Sequence, residues 1–424
     1  IPLRTRPAQT SQENPVNVDV AYLDSQSWEE EPMWERTRWL REHDPVRWSE
    51  KDGLWIVSRF EDVVHVSKHQ EIFTSGRGVR PGNSVKLGLI DEEEPRHGQL
   101  RGLVNKGFTP RMVKHLEHVF TRITTEAIDS VASAGECDFV ASIAVPLPLR
   151  LIAAMIGIRD EDYDQFHRWS DAMIAAEGNM DDLDIMARAG QAYVEYASYV
   201  NPIIEDRRRS PKDDLVSILT GAKDSGLLKT YQEDGNFTFV EESAPELQND
   251  ELIKLLVILM VAGNETTRNG ISGGMQLLIE NPDARRRLID EPALIPVAVE
   301  EMVRVASPVR SFGRTVVKDT DLRGVKLEAG QQVLMLYSSA NRDEREFEDA
   351  DRFIVDRNPH HVGFGIGSHF CMGANLARME MRVAFHELLR RLPDMEYSAG
   401  GPVLTPSALV RTCSEMRVEF APES

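Results

Sequence analysis

The sequence predicts a mainly α-helical protein with small β-sheets, organised as one domain over residues 1–424. Three observations carry that expectation. Apolar residues recur at helical spacing along most of the chain, alternation of apolar and polar residues is confined mainly to Thr315–Tyr337, and the stretch from Asn249 to Asn281 makes one very long helix. No internal repeat or low-complexity block interrupts this pattern.

In chain order, residues 1–30 read as an extended arm. "PMWERTRWLREHDPV" from Pro32 follows, with proline near a first turn and Trp34, Trp39 and Leu40 at helical spacing. "WIVSRFEDVVHVSKH" from Trp55 reads as strand, turn and helix. "LRGLVNKGF" and "RMVKHLEHVFTRITTEAIDSVA" are helices parted at Thr109-Pro110. Residues 223–248 are polar and contain Gly, Glu and Pro, as in a surface loop or hairpin. Asn249 or Asp250 then caps the long helix, and Pro282 stops it. About 31 residues at 1.5 Å each span roughly 45 Å, so this helix must run through the core. The segment Thr315–Tyr337 carries short strands and glycine turns.

Totals restrict the function. At 424 residues the chain can bury a large core, and its formal net charge of −20 opposes long-range attraction to nucleic acid or anionic membranes. The longest apolar run, "LLVILMVAG" from Leu255, is about half of what a membrane span requires. The first fifteen residues contain no apolar core of a secretory signal, and Ile1 in place of Met leads us to expect a few preceding residues in the natural product. Cys137, Cys371 and Cys413 are far apart, so they form no disulfide framework and a cytoplasmic location is expected.

"FGIGSHFCMG", residues 364–373, is the most informative stretch. Gly365 and Gly367 permit a tight reversal before Cys371, and Gly373 leaves room for a flat, bulky group to approach the backbone. "ANLARMEMRVAFHELLRRL" beyond it is strongly helix-forming, so the cysteine stands at a helix N-terminus. Unpaired N–H groups and the positive end of the macrodipole favour thiolate there, and a coordinated metal would complete the ionisation. Zinc would need about three more ligands, and no second Cys or His has finger spacing. A single thiolate suits haem iron.

The segment resembles the haem-ligand loop of the cytochrome P450 family, F-x-x-G-x-[HR]-x-C-x-G. Phe364, Gly367, His369, Cys371 and Gly373 match every fixed position. The resemblance implies a triangular-prism fold, with haem b (iron protoporphyrin IX) between the long central helix and the helix after Cys371. It makes Cys371 the metal ligand. Glu301 and Arg304 in "EEMVR" match the family's Glu-x-x-Arg brace, whose third member is expected at Arg352 in "DADRF", although Ala350 stands where many relatives have proline. A buried ion pair needs such a network.

"VAGNETTRN" from Val261 is similar to the family's [AG]-G-x-[DE]-T-[TS] motif. By that likeness Ala262 and Gly263 keep side chains away from the iron, and Glu265 and Thr266 are the catalytic residues of proton delivery. Thr266 can bond back to a carbonyl of its own helix, distorting the ladder and opening a groove for oxygen or water. His97, Arg101, Arg314 and His369 match positions that hold haem propionates, with Phe364 and Gly365 completing the cofactor loop. The reaction implied is monooxygenation, using O2 and two electrons from an external ferredoxin and its NAD(P)H-dependent reductase. Arg96, Lys106, Arg111 and Lys114 are candidates for the docking patch. By position the substrate pocket takes Val79, Leu87, Leu89, Leu259, Val261, Val309, Phe312, Leu409 and Val410. Their apolar character points to a sterol, terpenoid or branched lipid. A haem-thiolate sensor and a peroxide-driven peroxygenase are the alternatives, and the Glu265–Thr266 pair argues against both.

Overall fold

The computed structural model describes residues 16–81, 88–105, 110–176, 182–212, 214–220 and 249–423. The expected loop at 223–248, Leu87, Lys106 and the first half of the N-terminal arm lie outside these residues.

The helices are α1 (Glu30–His43), α2 (Phe60–Lys68), α3 (Arg96–Asn105), α4 (Pro110–Ala132), α5 (Pro146–Ile156), α6 (Tyr163–Ala175), α7 (Leu183–Arg209), α8 (Leu215–Thr220), α9 (Asn249–Glu280), α10 (Pro282–Asp290), α11 (Ile295–Ala306), the single turn α12 (Tyr337–Ala340) and α13 (Ala374–Arg391). Pro110 and Pro282 both occupy first helical positions, where the missing N–H costs nothing. The long helix ends one residue before the expected Asn281.

The strands are β1 (Val46–Ser49), β2 (Leu54–Val57), β3 (Phe73–Thr74), β4 (Glu136–Asp138), β5 (Ser311–Val316), β6 (Thr320–Leu322), β7 (Val325–Leu327), β8 (Gln332–Leu336), β9 (Glu396–Tyr397), β10 (Val403–Thr405), β11 (Thr412–Glu415) and β12 (Arg417–Glu419). Five of them form one sheet in the order β1-β2-β8-β5-β3. Its centre explains why "LWIV" and "VLML" are apolar without interruption. Period-two geometry sends Trp55, Val57, Val333 and Met335 into one core and Leu54, Ile56, Leu334 and Leu336 into another, so both faces are buried. The second of these cores is closed by the end of the arm, where Trp28 donates its indole N–H to the Tyr22 carbonyl at 2.8 Å.

The largest core surrounds α9. Four glycines let neighbouring helices approach it closely: a Cβ on Gly263 would sit 3.0 Å from Ile152 Cδ1 of α5, on Gly270 3.1 Å from Met381 Sδ of α13, on Gly273 2.8 Å from Ala306 Cβ of α11, and on Gly274 2.5 Å from Phe385 of α13. The helix propensity forfeited by glycine is thus exchanged for packing.

Candidate active site

The cysteine loop is fixed by its own backbone. Val362 N–H donates to Asn341 Oδ1 at 2.9 Å, Gly365 N–H to the Val362 carbonyl at 2.8 Å, and Cys371 N–H to the Phe364 carbonyl at 2.8 Å. Gly365 and Gly367 have φ of +67° and +80°, and a Cβ on Gly367 would lie 2.7 Å from the Ser67 carbonyl oxygen. Only glycine satisfies both demands at 367. Cys371 is thereby delivered to the start of α13, as an exposed residue.

Burial pushes the Cys371 thiol up, opposed by the backbone N–H groups of Gly373 and Ala374 and by Arg101 and Arg378. The helix terminus therefore favours ionisation without achieving it alone; a cation at sulfur must do the rest. A Cβ added to Gly373 would find only Cys371 Sγ within 4 Å, at 3.9 Å, so the space beside the sulfur is open.

Next to the thiol the structure brings together all four expected propionate partners. The His97 and His369 ring centres lie 4.0 Å apart with the planes tilted by 33°, His97 Nδ1 lies 2.9 Å from Glu94 Oε1, and His369 Nε2 lies 2.9 Å from Ser75 Oγ. Arg314 is buried with a single hydrogen bond, to the Gly313 carbonyl at 2.7 Å, and Arg101 has no hydrogen-bond partner among the described residues. Burial lowers the pKa of both arginines. His369 is pushed down to about 3 by burial and by the charges of His97, Arg314 and Arg101. A buried Arg314 and a half-buried Arg101 with so little internal compensation call for an anion from outside, and the two carboxylates of a haem would answer that need.

On α9, Thr266 Oγ1 donates to the Ala262 carbonyl at 2.7 Å, as expected. The expected distortion does not appear: residues 249–280 are α-helical throughout. Ala262 is exposed within this otherwise largely buried helix, so the site opens at that position. Gly263 does not face the opening; it faces Ile152, and packing against α5 dictates its size. Glu265 is buried, with Oε1 accepting from Asn269 Nδ2 at 2.8 Å and Thr412 Oγ1 at 3.1 Å. Its Oε2 lies 2.5 Å from an Arg268 guanidinium nitrogen, yet no donor is aligned on it.

The brace needs a correction. Arg304 and Glu301 are wholly buried and joined by two bonds of 2.7 and 2.8 Å, but the third side chain is Arg357, whose Nε donates to Glu301 Oε1 at 2.9 Å. Arg352 contributes only its carbonyl, which accepts from Arg304 at 3.0 Å; its side chain is 73% exposed and pairs with Asp349. The Ala350 carbonyl accepts from Arg304 at 2.7 Å, an interaction that requires no proline there. A second cluster escaped the motif reading. Glu300 takes two 2.7 Å bonds from Arg378, whose guanidinium lies 4.5 Å from the Phe364 ring centre, and it also meets His361. Burial alone would raise Glu300, but His361 and Arg378 bring it down to about 2.

Of the expected pocket residues, Leu259, Val261, Val309, Phe312, Leu409 and Val410 are all partly exposed. Val309 and Val410 form a β-bridge, and Gly88 approaches Ile258 beside Leu259. Val79 and Leu89 are instead packed into protein, Val79 tied by its N–H to Asp91 and by its carbonyl to Gly313. A separate cavity of about 410 Å³ is lined by Glu30, Gln276, Arg342, Asp351 and Arg411 among others; it is polar and includes neither Cys371 nor Thr266. The proposed docking cations are also revised: Arg96 is occupied by Glu251 of α9, Lys114 is exposed, and the Arg111 side chain is outside the described set.

A glycine-reversed thiol at a helix start, with the undercompensated guanidinium groups of Arg101 and Arg314 nearby, fits a haem-thiolate enzyme. The comparisons agree, and the chain belongs to the cytochrome P450 family: the family profile "Cytochrome P450" matches residues 182–398. A steroid C26-monooxygenase of Mycolicibacterium smegmatis is 34% identical over 92% of this chain and 93% of its own. A mycinamicin IV hydroxylase/epoxidase of Micromonospora griseorubida is 39% identical over 84% and 87%. The fold matches CYP109E1 of Bacillus megaterium, solved in complex with corticosterone, with a TM-score of 0.78 and 33% identity over 92% of this chain and 98% of that one. The protein is an enzyme of the P450 monooxygenase type, and no described helix is long and apolar enough to cross a membrane.

Proposed function

We propose that the protein hydroxylates a sterol-like or other branched apolar molecule, with haem b held by Cys371 and electrons from an external ferredoxin and its reductase. The observation that supports the substrate class is the set of partly exposed apolar side chains, Leu259, Val261, Val309, Phe312, Leu409 and Val410, drawn from three segments of the fold. Such walls exclude water and reward apolar area, at about 25 cal/mol per Å² buried. The steroid C26-monooxygenase named for the relative from Mycolicibacterium smegmatis supports the same choice.

Haem, when bound, supplies dioxygen activation and oxygen insertion. Around it, Arg101, Arg314, His97 and His369 would bind the propionates. Thr266 holds a proton at Oγ1, and Glu265 is the nearby carboxyl able to renew it. Phe370, 37% exposed beside Cys371, provides an apolar centre for a docking ferredoxin.

The first test is the reduced protein under carbon monoxide. A far-red-displaced Soret band is expected, and its loss in Cys371→Ser; a wild-type spectrum without that band defeats the reading. The second is a spin-state titration with sterols, terpenes, fatty acids and a macrolide, followed by product analysis with a surrogate ferredoxin or with peroxide alone. Tight macrolide binding without sterol binding would overturn the substrate class, and product from peroxide alone would overturn the electron source.

A further inference from the structure

Residues 409–413 form a continuous connector between the pocket wall and the carboxyl of Glu265. The Leu409 carbonyl accepts from Arg310 N–H at 2.8 Å, Val410 bridges to Val309, and Arg411 N–H donates to the Pro308 carbonyl at 2.9 Å. The Arg411 side chain is clamped to Glu30 at 2.5 Å and to Gln276 of α9 at 2.7 Å. Thr412 Oγ1 then reaches Glu265 Oε1 at 3.1 Å, and Cys413 N–H reaches Asn269 Oδ1 at 3.1 Å. Each residue of the run is tied either to the α11–β5 connection or to α9, leaving little freedom to move one end without the other.

From this geometry we infer that Thr412 is a positioning residue for Glu265, and that the C-terminal hairpin couples the occupied pocket to proton supply. The inference rests on the reading of Glu265 as the proton-delivering acid. Oε1 receives two donors, Asn269 on the same helix and Thr412 from β11, and these fix the orientation of the carboxyl plane. Oε2 faces Arg268 with no aligned donor. Oε2 is thus held by the Arg268 guanidinium at 2.5 Å, and the two oxygens of the carboxyl have different partners. Asn269 moves with α9, whereas Thr412 is carried by the segment that also presents Leu409 and Val410. A substrate pressing on those two side chains reaches the acid through one hydrogen bond.

The test uses the haem-loaded enzyme as wild type, Thr412→Val, Thr412→Ser, Glu265→Gln and the Thr412→Val/Glu265→Gln double variant. Thr412→Val preserves shape and deletes the donor; Thr412→Ser keeps it. Product formed per NADH should fall about fivefold in Thr412→Val, the scale of one hydrogen bond, with a larger solvent isotope effect. Substrate affinity and the carbon monoxide spectrum should not change. Thr412→Ser should restore coupling, and the double variant should be no worse than Glu265→Gln. Without turnover, the carboxylate infrared band absent from Glu265→Gln should shift in Thr412→Val. If Glu265→Gln uncouples while Thr412→Val leaves coupling, isotope effect and infrared band unchanged, the positioning role is wrong and the acid assignment stands. If Glu265→Gln is itself fully coupled, the acid assignment fails and this inference fails with it.

Discussion

Replacing Arg357 by alanine should destabilise the protein far more than replacing Arg352, although the sequence motif favours the latter. Arg357 Nε donates to Glu301 Oε1 at 2.9 Å, and its two terminal nitrogens reach the carbonyls of Glu348 and Asp349. Glu301 is wholly buried, so each charged bond withdrawn from it costs about 1.5–3 kcal/mol. Arg304 and the Ile354 N–H remain to hold the carboxylate, which keeps the loss below that of an entirely unpaired buried ion. We expect about 3 kcal/mol for Arg357→Ala, a large share of the roughly 5–15 kcal/mol that stabilises a folded domain. Arg352 is largely exposed, and its pair with Asp349 is worth about 1 kcal/mol or less. The assay is urea unfolding of haem-loaded protein followed by far-UV circular dichroism, with the carbon monoxide band as a second signal. Equal losses, or a greater loss for Arg352→Ala, would refute the assignment of the brace.

Three further outcomes are expected. Gly367→Ala should cost about 2–4 kcal/mol and lower haem content at purification, because the left-handed backbone penalises a side chain and the Ser67 carbonyl blocks it; an unchanged urea midpoint would contradict this. Glu300 has its folded pKa lowered from 4.5 to about 2, so its stabilisation is complete above pH 4.5 and fades as pH falls toward 2. Glu300→Gln should remove up to about 3 kcal/mol at neutral pH and flatten the pH dependence of unfolding between about 4.5 and 3, and a variant retaining the wild-type slope would show that Glu300 is not its source. Thr266→Ala should divert electrons from product to peroxide or water while leaving substrate-induced spectral shifts intact; undiminished product per NADH would remove Thr266 from proton delivery.

Features governed by near neighbours were legible in the sequence. The reversal before Cys371, the helix after it, the Glu301–Arg304 pair and the Thr266 back-bond each arise within a few residues, where spacing dictates which atoms meet. The central helix was equally clear, its limits marked by a polar cap region and a proline.

Sequence by itself thus determined the thiol and its turn, because local backbone geometry admits few alternatives, while the family was legible through the resemblance of its motifs. Only the tertiary structure decided which arginine reaches Glu301, that His369 lies against His97 with Arg314 and Arg101 nearby, that Gly263 answers to Ile152, and that a threonine far along the chain touches Glu265. Those choices depend on burial and on contacts between distant segments. A charge or hydroxyl has no assigned partner until packing fixes its surroundings and removes the water that would otherwise satisfy it.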